Sequence, residues 1–264
     1  MKESNEIIVI IWEWYWWRIL SSKLSKYQVI FFDPRVKDYE ELQVLNPIFI
    51  LVATPSYVHF AIVSKLLENW FNVFCEKPFC SNQNERDILF NMPSINNNKL
   101  FIDNVFLYKK AYIDFKAYIE KHKSNIANIQ FSWKKYWTFS DTLYNDLVYH
   151  DTYMLIDSFT SKDIDFDIPS SFDKKDELLI KWTIGQINFS LYYNRLSKEK
   201  KEKNIIIELK SWELFVFDFY KDNDDALKVM LSFLIEDKID IIKNNRLAFD
   251  TGATLEIIKN LING

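Results

Sequence analysis

Phe49-Ile-Leu-Val-Ala-Thr-Pro-Ser-Tyr-Val-His59, followed by Asn72-Val-Phe-Cys-Glu-Lys-Pro-Phe79, is the stretch on which the reading of the fold turns. The apolar run Ile48 to Ala53 breaks at Thr54-Pro55, and a second run, Val73 to Cys75, stops at Glu76-Lys77-Pro78. Between them Val58, Ile62, Val63, Leu66 and Leu67 recur at helical spacing. That pattern is strand, helix, strand, with polar residues where the strands end. In open α/β sheets the carboxyl ends of the strands are where ligands bind. Lys77, held there between an acid and a proline, is a candidate for proton handling or substrate binding. A lone Glu-Lys-Pro is common in surface turns; its place after a strand–helix unit is what gives it meaning.

Working towards the N-terminus, Ile7 to Ile11 is a continuous β-branched run that reads as a buried parallel strand. Residues 18–26 read as the start of a helix and Gln28 to Phe32 as a second strand, ending at Asp33. This is the opening βαβ of a dinucleotide-binding fold. Its glycine fingerprint belongs at 12–17, and Asp33 lies 21 residues past the first position, where the ribose-binding acid belongs. The chain instead reads Trp12-Glu13-Trp14-Tyr15-Trp16-Trp17, with tryptophan at all three glycine positions, 12, 14 and 17. The first glycine permits the tight turn, the second the approach of the pyrophosphate, and the third close helix–strand packing. Indoles there exclude the usual mode of NAD binding.

Composition sharpens the anomaly. The chain has 3 glycines and 9 tryptophans, where an ordinary rate of roughly 7% would give about eighteen glycines. Two explanations compete. In one, a non-catalytic relative has filled its cofactor cleft with aromatics. In the other, a reassigned codon read as glycine in the living cell has been written as tryptophan. The second also covers Trp70, between helix and strand, and Trp137 and Trp212, in the turn-like contexts Lys-Tyr-Trp-Thr and Lys-Ser-Trp-Glu. The strong Ile, Lys, Asn and Phe bias suggests an AT-rich genome, where such reassignment is more expected.

The Ala-Thr-Pro-x-x-x-His segment followed by Glu-Lys-Pro resembles the Gfo/Idh/MocA family of NAD(P)-dependent sugar and polyol oxidoreductases. The likeness is close over 49–81 and 140–157 and holds in outline over 7–35. It implies an N-terminal Rossmann dinucleotide-binding domain, residues 1–103, and a C-terminal α+β domain with an open, largely antiparallel sheet, residues 104–264. It also implies NAD or NADP as cofactor, a sugar, nucleotide sugar or polyol as substrate, and a homo-oligomer.

The second polar constellation lies in Ser140 to Phe159, where Leu143, Leu147, Met154 and Leu155 mark a helix with one buried face. Asp146 and His150 are four apart, one helical turn. A carboxylate beside an imidazole raises its pKa and orients it, as a general base requires; taken alone, such a pair is more often a surface contact. The family resemblance implies Lys77, Asp146 and His150 as the catalytic Lys, Asp and His. It places the cofactor against Trp12, Trp14, Tyr15, Trp16, Trp17, Asp33, Arg35, Thr54, Pro55, His59, Glu76 and Lys77. His59 reads equally as a helix-packing residue. Asp33 favours NAD, whereas Arg35 suits the 2′-phosphate of NADP. The Lys77–Pro78 bond is expected to be cis. No Cys or His cluster has metal-ligand spacing, and no metal is expected.

Net charge is −4, which recommends neither nucleic acid nor an acidic membrane as partner. The basic run Lys198 to Lys203 is interleaved with acids and reads as a solvated loop. Two cysteines, Cys75 and Cys80, make no disulfide framework; with no signal peptide evident, a reducing cytoplasm is expected. In the second domain, strands are expected at 127–135, 178–184, 186–194, 205–209 and 213–218, and helices at 110–122, 224–235 and 253–262. The alternative from another class is a sugar-binding or scaffolding protein with a tryptophan-blocked cleft. Membrane attachment through 12–17 is weak, since that segment follows a core strand.

Overall fold

The computed structural model of the chain describes residues 6–11, 14–97, 99–136, 142–159, 165–174, 176–198 and 201–263. They divide into two units: residues 1–104 with 227–252, and residues 105–226 with 253–264.

The first unit is built on a parallel sheet of five strands: β1 (Ile7–Ile11), β2 (Gln28–Phe32), β3 (Phe49–Val52), β4 (Val73–Cys75) and β5 (Leu100–Ile102). Their order is β2-β1-β3-β4-β5. Helices α1 (Trp14–Lys23), α2 (Glu40–Leu45), α3 (Ser56–Glu68), α4 (Gln83–Phe90) and α5 (Pro93–Asn96) fill the connections. The central strands are apolar end to end because both faces are covered; Val9 and Ile11 of β1, Ile50 and Val52 of β3, and Ile62, Val63 and Leu66 of α3 share one core. The order reverses at β1, and the crevice beyond the carboxyl ends of β1 and β3 is the ligand position of such sheets. Helix α1 starts at Trp14, four residues before the expected 18. With no glycine or proline between residues 12 and 23, nothing delays the helix.

Residues 227–252 return to this unit, whereas the sequence reading left all of 104–264 in the second domain. The physical reason is the free edge of β5. Asn244 accepts from the Ile102 N–H (3.1 Å) and donates to its carbonyl (3.2 Å), and Asn245 donates to the Leu100 carbonyl (2.8 Å). Amide side chains thus satisfy an edge that would otherwise stay unpaired.

In the second unit α6 (Lys110–His122) precedes β6 (Ile126–Lys134), and a π-helical turn, Tyr144–Val148, leads into α7 (Tyr149–Ser158). Strands β7 (Asp165–Lys174), β8 (Glu177–Ile184), β9 (Ile187–Asn194), β10 (Glu202–Leu209) and β11 (Leu214–Asp218) complete a six-stranded sheet ordered β11-β10-β6-β9-β8-β7. Every pair is antiparallel except β6 with β9. The fold class is therefore α/β, a Rossmann-type parallel sheet followed by a largely antiparallel one. Strand β7 was not anticipated: Asp165, Asp167 and Pro169 are poor strand formers, tolerated because β7 is an edge. Helix α8 (Ala226–Ile235) is as expected, while α9 (Ile241–Asn263) begins well before the expected 253.

Two tryptophans occupy backbone positions that belong to glycine. Trp70 has φ +60° and Trp212 φ +69°, a region in which a bulky L-residue is a rare outlier. Trp70 closes α3: its N–H donates to the Leu67 carbonyl (3.0 Å), and the Phe71 N–H reaches back to Leu66 (3.2 Å). That is a Schellman motif with tryptophan at its left-handed C′ position. Trp212 lies in the β10–β11 hairpin, where its N–H donates to Leu209 and the Leu209 N–H to Glu213, both at 2.9 Å. This three-residue loop ends in the left-handed bulge position that favours glycine. The side chains anchor little, being 53% and 82% exposed. A left-handed L-residue costs roughly 1–2 kcal/mol, and glycine costs about 0.5–1 kcal/mol in unfolded-chain entropy. Trp70→Gly and Trp212→Gly should therefore each stabilise the chain, by about 0.5–1 kcal/mol. Urea denaturation measures this, and a clear loss of stability in either variant would count against it. Trp137 lies outside the described residues.

Candidate functional site

In the first unit the predicted residues collect at the carboxyl ends of successive strands. The parallel ladder runs one residue past each strand: Ala53 N–H donates to Ile11 (3.1 Å), Glu76 N–H to Val52 (2.9 Å) and Asp103 N–H to Cys75 (2.9 Å). These bonds hold the polar residues Thr54, Glu76 and Asp103-Asn104 at the rim, on three adjacent strands. Thr54 Oγ1, Glu76 Oε1 and both amide atoms of Asn104 are buried without a hydrogen-bond partner. Buried polar atoms are normally paired, and here a row of unpartnered ones lies along one rim.

His59, on α3, is buried, and both its ring nitrogens are engaged with carbonyls: Nδ1 with Pro78 (2.8 Å) and Nε2 with Thr54 (2.6 Å). It ties the loop after β3 to the loop after β4, so Thr54-Pro55 and Lys77-Pro78 are brought together through its ring. The Lys77–Pro78 bond is cis. Pro55 sits at the N-cap of α3.

At the end of β2, Asp33 takes the Arg35 side chain as a fork, Nε to Oδ1 at 2.9 Å and the guanidinium to Oδ2 at 2.8 Å, and accepts the Arg35 N–H at 2.9 Å. These bonds lower the Asp33 carboxyl to about 2, so it is anionic throughout the physiological range. Among Trp12, Trp14, Tyr15, Trp16 and Trp17, residue 12 lies outside the described residues; the backbone of 14–17 forms the first turn of α1. The N-terminus of α1 thus follows β1 directly, the arrangement that offers backbone N–H groups to a phosphate.

Glu76 is held protonated well above the usual carboxylate range, first by burial and then by the Asp103 charge beside it, with Lys77 acting in the opposite sense. A carboxyl raised in the folded state binds a proton that the unfolded chain has released, so its contribution to stability is lost as pH rises. Glu76→Gln removes that loss. Its melting temperature should match the parent near pH 4 and exceed it increasingly towards pH 8; a difference constant across that window would contradict the assignment.

In the second unit Asp146 and His150 lie on either side of the junction between the π-helical turn and α7. Asp146 lies in that turn and His150 in the first turn of α7. His150 is buried with Nδ1 3.2 Å from the Tyr153 hydroxyl, whose oxygen also accepts the Phe106 N–H at 3.0 Å. Its ring packs edge-on to Phe106, centroids 4.6 Å apart, and beside Trp133 at 5.8 Å. Tyr153 was missed in the sequence, although it lies three residues from His150 and so on the same face.

The basic run also needs correction. Lys203 is not in a solvated loop: it belongs to β10, is 2% exposed, and pairs with the 1%-exposed Asp151 at 2.7 Å. The signal was the alternation Lys203, Ile205, Ile207, Leu209, all buried. Among the described residues no group of His, Cys, Asp or Glu could hold a metal ion, and no helix is long and apolar enough to cross a membrane.

Comparisons with known proteins bear on the fold. Residues 18–103 match the family model GFO_IDH_MocA, an oxidoreductase family with an NAD-binding Rossmann fold. No curated protein matches the sequence. Many solved structures share the fold. UDP-N-acetylglucosamine 3-dehydrogenase GnnA from Acidithiobacillus ferrooxidans has a TM-score of 0.75 at 13% identity, covering 98% of each chain. GenD2 from gentamicin A biosynthesis, in complex with NAD, has a TM-score of 0.74 at 11% identity, covering 97% of this chain and 94% of its own. A myo-inositol dehydrogenase from Corynebacterium glutamicum has a TM-score of 0.69 at 10% identity, covering 95% of each. At such identities the likeness is one of fold.

Proposed function

With the Gfo/Idh/MocA Rossmann domain as premise, we propose that this chain is an NAD(P)-dependent oxidoreductase acting on a secondary alcohol or ketone of a sugar, nucleotide sugar or polyol. The observation that carries the reading is the rim of buried, unpartnered polar atoms on Thr54, Glu76 and Asn104. Those groups fit a polar ligand lying across the ends of β3, β4 and β5. The substrate class follows the fold relatives, among them dehydrogenases of myo-inositol and of UDP-N-acetylglucosamine.

The reading includes glycine at 12, 14, 17, 70, 137 and 212 in the native protein. Trp70 and Trp212 support it, since both take a left-handed φ at a position that calls for glycine. Glycine at 14 and 17 would open the N-terminus of α1 to a pyrophosphate. Asp33, anionic and forked by Arg35, keeps lone pairs for a ribose hydroxyl; Arg35 is engaged by Asp33, which favours NAD over NADP.

The bound dinucleotide supplies the hydride acceptor. In the tautomer that carries the proton on Nδ1, facing the Tyr153 oxygen, His150 takes the substrate's hydroxyl proton on Nε2. Asp146, a carboxylate in the preceding turn, favours the imidazolium that results. Lys77 hydrogen-bonds the reacting oxygen and stabilises the negative charge that develops there. The alcohol carbon becomes the ketone carbonyl, and the proton rests on His150.

Turnover tests this. The glycine-bearing chain, given NAD⁺ and a panel of polyols and sugar nucleotides, should generate NADH absorbance with at least one of them. NAD binding without reduction by any member would favour a ligand-binding or scaffolding protein of the same fold.

A further inference from the structure

Register aligns three side chains in a row across the second sheet: Lys203 of β10 lies opposite Trp133 of β6, and Trp133 lies opposite Tyr193 of β9. All three are buried on the covered face. The two ends of the row grip one carboxylate on α7. Lys203 Nζ donates to Asp151 Oδ1 at 2.7 Å, and the Tyr193 hydroxyl donates to Oδ2 at 2.8 Å. Burial and the Asp151 charge push the Tyr193 phenol up, so it remains the donor. Next to this carboxylate in the chain is His150.

The aromatic groups around the lysine also touch the histidine. The ammonium lies 3.7 Å from the Trp133 ring centroid, 4.6 Å from that of Phe106 and 5.2 Å from that of Phe219. Phe106 and Trp133 are the rings against which His150 packs. Stability is a poor account of such a cluster, because desolvating a buried ion pair can cost more than the attraction returns. Geometry is a better one: two hydrogen bonds to two oxygens of one carboxylate fix the rotation of the helix that bears it.

We propose that Asp151, clamped between Lys203 and Tyr193, is the positioning residue that sets the place and orientation of the His150 imidazole. The clamp deepens the reading of His150 as proton acceptor and rests on it. Its loss should lower turnover while leaving binding intact, since a misplacement on the ångström scale can cost about 10²-fold in rate.

The test uses the full chain with Asp151→Asn and Lys203→Met together, which removes both charges and leaves neither buried alone. The first readout needs no activity: the imidazole ¹⁵N signals of His150, identified by their absence in His150→Asn. They should shift and broaden in the double variant. The second readout, in the chain with glycine at 12, 14 and 17, is a fall in kcat of about tenfold or more with KM for the cofactor unchanged. A folded double variant with parental His150 signals and parental kcat overturns the proposal. Should the double variant not fold, Tyr193→Phe keeps the ion pair and loses one hydrogen bond; unchanged His150 signals there overturn it equally. If His150→Asn leaves turnover unaltered, the proton-acceptor reading fails, and the ring signals still decide the clamp.

Discussion

Glycine at 12, 14 and 17 should convert a chain with no measurable affinity for NAD into one that binds it. The gain should be at least about a hundredfold, or about 2.7 kcal/mol. Steric and electrostatic effects act together. Helix α1 begins at Trp14, three residues past Ile11, where β1 ends, and a helix N-terminus offers its first N–H groups and the positive end of its dipole to a phosphate. A phosphate reaches those N–H groups only where no side chain stands over them, which is why this turn calls for glycine. Asp33, anionic down to about pH 2, should bind the ribose in the restored chain, and Asp33→Ala should weaken NAD there without abolishing turnover at saturating cofactor. Calorimetry separates the outcomes. Tight NAD binding by the tryptophan chain would refute the steric argument, and no gain on restoration would refute the assignment of the cleft.

The second large effect is kinetic. In the NAD-competent chain, His150→Asn should cut kcat by roughly 10²–10⁴, the usual cost of losing a general base, and flatten the pH dependence near neutrality. Lys77→Ala should do at least as much damage, since it removes the donor to the oxygen on which charge develops. Cofactor affinity should change little in either. Tyr153→Phe is the informative companion: the Nδ1 partner at 3.2 Å is lost, so kcat should fall, by less than in His150→Asn. An unchanged rate and pH profile in His150→Asn on an authentic substrate would reduce the residue to a packing role.

Much of the first unit was legible in the sequence because its central strands are apolar and buried, and β2, β3 and β4 end at polar punctuation: Asp33, Thr54-Pro55, Glu76-Lys77-Pro78. Such runs read the same from pattern as from structure. What was not legible depended on partners distant in sequence. Nothing local shows that Asn244 and Asn245 satisfy the edge of β5, so the return of 227–252 to the first unit went unread. Lys203 looked solvated because its neighbours in the chain are charged; only the alternation with Ile205 and Ile207 betrays its burial. The π-helical turn at Tyr144–Val148 has no periodic signature, and the Tyr153 contact to the His150 ring went unread. The left-handed tryptophans were half legible: composition raised the question, and the φ values at 70 and 212 sharpened it.

Peptide mass spectrometry of the protein from its own cells should find glycine at 12, 14, 17, 70, 137 and 212. It should find tryptophan at 133 and 182, which are buried and packed, Trp133 under the Lys203 ammonium and Trp182 stacked on Phe189. Tryptophan found at 14, 17, 70 and 212 would contradict this and leave a Rossmann-fold protein whose cofactor cleft is closed.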